Sequence, residues 1–188
     1  MTDLVLFHAA LGRRPAIEVL AEQVRAAGHG VVAPDLYAGR TFDDVDAGVA
    51  EADRIGMATL LARAADAVAN LPADVVYLGI SLGCVPAMQL AGARPGARGI
   101  VQVQSAVTPA DLDLPGWPDG LALQLHVSPD DPWQDDPDRL TSLVPADLVE
   151  VHAYPGTQHL FMDHDLADHD PTATVRFVDA LVAWLDAR

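Results

Sequence analysis

Gly79-Ile80-Ser81-Leu82-Gly83 spells G-x-S-x-G, and it sits between an apolar run at 75–78 and a helix-compatible stretch at 85–93. Directly after a strand and before a helix, that spacing has a mechanical meaning. A serine in such an elbow occupies a strained turn, so the residues two before and two after it must be small for strand and helix to approach. Gly79 and Gly83 meet the requirement. The turn exposes the Ser81 hydroxyl and aims the Leu82 backbone N–H, near the positive end of the helix, at an oxyanion developing on a substrate. The competing reading is a tight turn with Ser81 as an ordinary helix N-cap. Partner residues decide between them.

A nucleophilic serine needs a base and an orienting carboxylate, which follow a strand–turn–helix elbow of this kind in the order acid, then histidine. After the apolar run at 121–127 comes Ser128-Pro129-Asp130-Asp131-Pro132-Trp133, where either aspartate is a candidate acid and an Asp-Pro turn is the plainer alternative. After the run at 148–153 comes Tyr154-Pro155-Gly156-Thr157-Gln158-His159, which places His159 in the last loop before a closing helix. Three strand-end positions in the required order make a coherent site, because α/β sheets bind ligands at the carboxyl ends of their strands.

The elements that position these residues follow from periodicity. Apolar runs at 4–7, 31–33, 75–78, 100–103, 121–127 and 148–153 predict six strands, with the second of them, at 31–33, expected to be buried. Ile17, Leu20, Val24 and Ala27 recur at helical spacing within 16–27, and Gly28 ends that helix. The Ala-rich segment 43–70 carries Gly48 and Gly56, which favours two helices over one. Helices are also expected at 85–93, 138–143 and 172–187. Parallel neighbours require crossover connections, so the expectation is an α/β fold: one domain over 1–188, with a mostly parallel sheet of about six strands and helices on both faces.

Composition narrows the function classes. The chain has 188 residues, 51% of them hydrophobic and 20% charged, far from the signature of disorder. Acidic residues number 27 against 11 basic ones, all arginine, for a formal charge of -16. A surface this negative repels phosphate backbones and anionic lipids, so neither nucleic acid nor membrane is expected as a partner. No run approaches the roughly eighteen apolar residues of a membrane span. The first apolar run is short and lacks a basic leader, and Cys84 is the lone cysteine, so a cytoplasmic monomer is the default expectation.

Two other features invite chemistry. Cys84 has Leu82 two before it and Pro86 two after it, which bars it from the elbow and leaves it a small hydrophobe at the start of a helix. His152, His159, His164 and His169 with Asp163, Asp165, Asp168 and Asp170 raise the possibility of a metal site, with Asp165 and His169 spaced to share a helical face. No zincin, EF-hand or cysteine-pair pattern accompanies them, so a solvated acidic loop is the expectation and no metal or cofactor is called for.

Across nearly its whole length the sequence resembles the dienelactone hydrolase family of α/β hydrolases. The resemblance rests on Ala9-Ala10-Leu11-Gly12 after the first strand, Val32-Ala33-Pro34-Asp35-Leu36-Tyr37, the elbow, Asp131-Pro132-Trp133, and Gly156-Thr157-Gln158-His159-Leu160-Phe161. It implies that Asp131 is the acid, His159 the base, and Ala10 the donor of a second oxyanion N–H. The sequence departs from the name-giving enzymes in carrying Ser81 in place of their cysteine and Ala9 in place of their glutamate. Their substrate-binding arginines have no counterpart in 160–166, and Arg13, Arg14 and Arg40 are the nearest candidates. The implied activity is hydrolysis of small carboxylic esters or lactones through an acyl-enzyme on Ser81, and the net charge of -16 without a cation just after His159 leads to the separate expectation that neutral acyl esters are preferred. The alternatives are a thioesterase or peptide-cleaving variant of the same triad and, outside enzymes, an inactive scaffold used for binding.

Overall fold

The computed structural model describes residues 2–188. The order is β1 (Asp3–Phe7), α1 (Pro15–Ala26), β2 (Gly30–Val32), α2 (Val45–Ile55), α3 (Met57–Val68), β3 (Val76–Ile80), α4 (Cys84–Ala93), β4 (Gly99–Val103), β5 (Ala122–Val127), α5 (Asp138–Thr141), β6 (Val149–Ala153) and α6 (Pro171–Asp186). The strands form one sheet in the order β2-β1-β3-β4-β5-β6, every neighbouring pair parallel.

Strand pleating sorts the side chains into two layers. Along β1, Val5 and Phe7 face a core completed by α3 and α4 through Leu60, Ala64, Val68, Ala87 and Met88. Leu4 and Leu6 face the opposite core, closed by α1 through Ile17, Leu20 and Val24 and by α6 through Phe177, Leu181 and Trp184. The central strands are covered on both faces, hence their continuous apolar runs. Trimming a side chain such as Leu181 to alanine would cost about 2–5 kcal/mol.

Helix ends follow local chemistry. Pro15 and Pro171 occupy first-turn positions of α1 and α6, where a missing N–H costs nothing. Asp44 and Asp170 cap α2 and α6 by accepting backbone N–H groups. Gly56, at φ 87°, separates α2 from α3.

One expectation needs correction. The second strand was expected to be buried, yet β2 is an edge strand of three residues with Val32 exposed, because the sheet ends there. Residues 163–169 form turns, so Asp165 and His169 share no helical face. Asp163 is instead taken by Arg14 and Asp170 by the α6 cap, and among the described residues no group of three or more His, Cys, Asp or Glu converges as a metal site would require.

The chain order reverses beside β1, whose neighbours are β2 on one side and β3 on the other. Phe7 pairs with Gly79 across β1 and β3, so the loops leaving these two strands emerge side by side at the switch point.

Candidate active site

β3 ends at Ile80, and Ser81 takes φ 51°, left-handed for a residue with a side chain. That conformation costs on the order of 1–3 kcal/mol and persists because the surroundings enforce it. A Cβ on Gly79 would strike the Gly83 carbonyl and Cys84 backbone; one on Gly83 would strike the Phe7 and His8 carbonyls. Only glycine lets strand, turn and the first loop come this close. A short 3₁₀ turn, Ser81–Gly83, leads into α4, which starts at Cys84. Pro86 therefore falls in the first turn of α4, where it is tolerated.

The Ser81 hydroxyl donates to His159 Nε2 at 2.8 Å, and His159 Nδ1–H donates to Asp131 Oδ2 at 2.5 Å. A carboxylate only accepts, which fixes the proton on Nδ1 and leaves Nε2 as the basic nitrogen. The Asp131 side chain is fully closed to solvent and that of His159 is 6% exposed. The second oxygen of Asp131 accepts the Trp133 backbone N–H at 2.9 Å, which aims the carboxylate. Trp133 shields the imidazole, its ring 6.2 Å away, while its own outer face stays exposed. Asp130 is exposed on the same turn and points into no such arrangement.

The first loop supplies Ala10, 3% exposed, beside the elbow. His8, at its root, is buried with its Nε2 accepting the Leu36 backbone N–H at 3.1 Å. Its proton must then lie on Nδ1, which donates to the Ala9 carbonyl at 2.7 Å. Gly12 N–H donates to the same carbonyl at 3.0 Å. The Ala9 carbonyl and the Ala10 N–H belong to one trans peptide and point opposite ways, so these bonds set the direction of that N–H. Burial holds the His8 pKa below its usual value, in keeping with the neutral ring.

Cys84 is fully buried, its thiol donating to the Gly79 carbonyl at 3.1 Å, and burial pushes its pKa up to about 12. Such a thiol is inert at neutral pH. Arg14 is 7% exposed and is held by Asp163 at 2.6 Å, by Asp43 at 2.5 Å and by the Phe42 carbonyl. Arg13 pairs with Glu18 and Arg40 with Glu51. An open cleft of about 330 Å³ reaches the Ser81–His159–Asp131 cluster through Trp133 and Leu160 and is lined by Leu11 and Leu166 together with Asp43, Asp44, Asp46 and Asp168.

Sequence reasoning missed His8, the Arg14–Asp163 pair, and Gln104, which is buried just after β4 and bonded to the loops carrying Asp131 and His159. A polar residue directly after an apolar strand was the available signal for His8; Gln104 follows a strand that already holds a polar residue, Gln102. Nothing local signals the pairing of Arg14 with a residue 149 positions away.

Solved structures share this architecture. A dienelactone hydrolase-like promiscuous phosphotriesterase from metagenomic libraries is 19% identical, superposes with a TM-score of 0.72, and is matched over 100% of this chain and 86% of its own. The dienelactone hydrolase of Anabaena variabilis is 21% identical, with a TM-score of 0.67 over 99% of this chain and 86% of its own. A cold-adapted esterase from an Arctic intertidal metagenomic library is 17% identical, with a TM-score of 0.67 over 97% and 82%. No protein-family model and no curated protein matches the sequence. The chain has the α/β fold of the dienelactone hydrolase-like proteins.

Proposed function

We propose that the protein is a serine-dependent hydrolase of small carboxylic esters or lactones, a serine-nucleophile member of the dienelactone hydrolase family. The observation that carries this reading is the continuous chain of hydrogen bonds from Ser81 through His159 to Asp131, with the serine in a left-handed elbow. Ser81 Oγ attacks the ester carbonyl while His159 Nε2 takes its proton. Asp131 stays ionised and stabilises the imidazolium. The tetrahedral oxyanion is met by the N–H groups of Leu82 and Ala10, donors in place before charge develops. Collapse expels the alcohol, which receives the proton from His159 and leaves an acyl group on Ser81. Water, deprotonated by the same imidazole, releases the acid.

The cleft favours neutral substrates. Its lining combines apolar side chains with four aspartates, and the buried Arg14 is already paired with two aspartates. A substrate carboxylate would meet repulsion without a free cation to hold it. The test is a panel of p-nitrophenyl acyl esters of increasing chain length, with a thioester of the same acyl group. The expected result is turnover of short neutral esters that vanishes in Ser81→Ala. A wild-type protein inactive on the whole panel would favour the binding scaffold, and a strong preference for the thioester would favour the thioesterase variant.

A further inference from the structure

We infer that Gln104 is a positioning residue that sets the acid and the base of the triad against each other. This rests on the proposed roles of Asp131 and His159.

Gln104 follows the last residue of β4, is 0% exposed, and has φ 56°. Its backbone N–H extends the ladder to β5 by donating to the His126 carbonyl at 2.8 Å. The left-handed turn swings the side chain across the carboxyl ends of the next two strands. There the amide makes three bonds. Oε1 accepts the Ser128 backbone N–H at 2.9 Å, while Nε2 donates to Ser128 Oγ at 2.7 Å and to the Gln158 carbonyl at 3.0 Å. A backbone N–H only donates and a carbonyl only accepts, so the amide orientation is fixed from both sides.

These partners sit at the roots of the triad. The Ser128 carbonyl accepts the Asp131 backbone N–H at 3.0 Å, closing the turn that carries the acid. Gln158 immediately precedes His159. The β5–β6 ladder ends where the Tyr154 N–H donates to the Val127 carbonyl at 2.8 Å, and beyond that point a single buried amide joins the acid turn to the base loop. Glutamine is the side chain that offers one acceptor and two donors at this reach. Methionine keeps its length and removes all three bonds, and the 2.5 Å contact between Asp131 and His159 then loses its brace.

The role predicts a specific kinetic signature. In Gln104→Met, kcat for a short p-nitrophenyl ester should fall by about 100-fold, as expected for a misplacement on the order of 1 Å, with KM within about twofold of the wild type. The acid limb of the pH profile of kcat/KM should move to lower pH, because a looser carboxylate stabilises the imidazolium less. Val24→Ala, a core truncation in α1, serves as a control for lost stability and should keep the wild-type kcat and profile at temperatures where it is folded.

A folded Gln104→Met with wild-type kcat and pH profile overturns the inference while leaving the triad reading intact, provided Ser81→Ala is inactive. Equal losses of kcat in Gln104→Met and Val24→Ala overturn it too, since both would then reflect stability alone. Wild-type turnover in Ser81→Ala overturns the triad reading and the inference with it. If Gln104→Met does not fold, Ser128→Ala removes only the Oγ acceptor. A lower kcat at unchanged KM there supports the brace, and a wild-type kcat overturns it.

Discussion

Arg14 and Asp163 form a 2.6 Å ion pair, both side chains less than a tenth exposed, that ties the loop after β1 to the loop after β6. Arg14 follows the Ala10 loop and Asp163 follows His159, so the pair joins the proposed oxyanion donor to the proposed base. Its guanidinium is therefore committed to structure. Arg14→Ala should cost about 3–5 kcal/mol by leaving Asp163 buried without its partner, read as a fall in the urea midpoint. It should not change the ratio of kcat/KM between neutral and anionic esters in the fraction that stays folded.

The acidic cleft lining gives a second expectation for substrate charge. A neutral ester should be turned over with higher kcat/KM than its carboxylate-bearing analogue, and added salt should narrow the gap by screening the repulsion. A preference for the anion that disappears in Arg40→Ala would instead assign Arg40, exposed beside Phe42, to substrate binding.

Asp131 and Asp130 are separated by one peptide bond and by opposite environments. Asp131→Asn should lower kcat by roughly four orders of magnitude, the loss seen when a serine protease triad is held in the wrong imidazole tautomer. Asp130→Asn, at an exposed position, should stay within about twofold of the wild type, since surface substitutions away from special features are close to neutral. Steady-state kinetics on purified variants decides the order, and a reversed order would move the acid to Asp130.

Strands and helices were legible because their signals are local. The run 75–78 and the glycines around Ser81 report a strand and an elbow within ten residues of chain, and the α1 stripe of Ile17, Leu20 and Val24 is visible at one glance. Of the residues expected at the site, His159 lies within hydrogen-bonding distance of both Ser81 and Asp131. What escaped was set by tertiary contact. The burial of β2 could not be judged because an apolar three-residue strand reads alike at an edge and in the middle of a sheet. The reach of Gln104 depends on a positive φ and on partners 24 and 54 positions away in the chain, neither of which a local pattern reports.

Gly48 in α2 lies against the first loop so closely that a Cβ there would strike the Ala10 carbonyl. Gly48→Ala should push that loop and its Ala10 N–H away from the elbow. The expected outcome is a fall in kcat of about tenfold or more, less than the hundredfold or greater loss of a deleted oxyanion donor, with a folded far-UV spectrum. Unchanged kcat would argue against Ala10 as a donor.

His126 is buried in β5, donating or accepting at Nδ1 with the Tyr154 hydroxyl at 2.7 Å and stacked on His152. Burial first, and the neighbouring His152 second, hold its pKa well below the usual value. A depressed folded-state value means the unfolded chain takes up the proton more readily. The stability this ring contributes is full above the unfolded value of about 6.5 and is lost as pH falls below it, by up to about 1.4 kcal/mol per pH unit. Thermal unfolding at pH 5 and pH 7.5 should therefore show an acid loss in the wild type that shrinks in His126→Leu. Equal losses in both proteins would place the acid sensitivity elsewhere.

The most direct test of the account is where an acylating or phosphonylating reagent attaches. A fluorophosphonate should form one adduct, mapped by peptide mass spectrometry to Ser81, with parallel loss of esterase activity. Labelling should be absent in Ser81→Ala and unaffected in Cys84→Ala. An adduct on any other residue, or labelling that survives in Ser81→Ala, would contradict the assignment of Ser81 as the nucleophile.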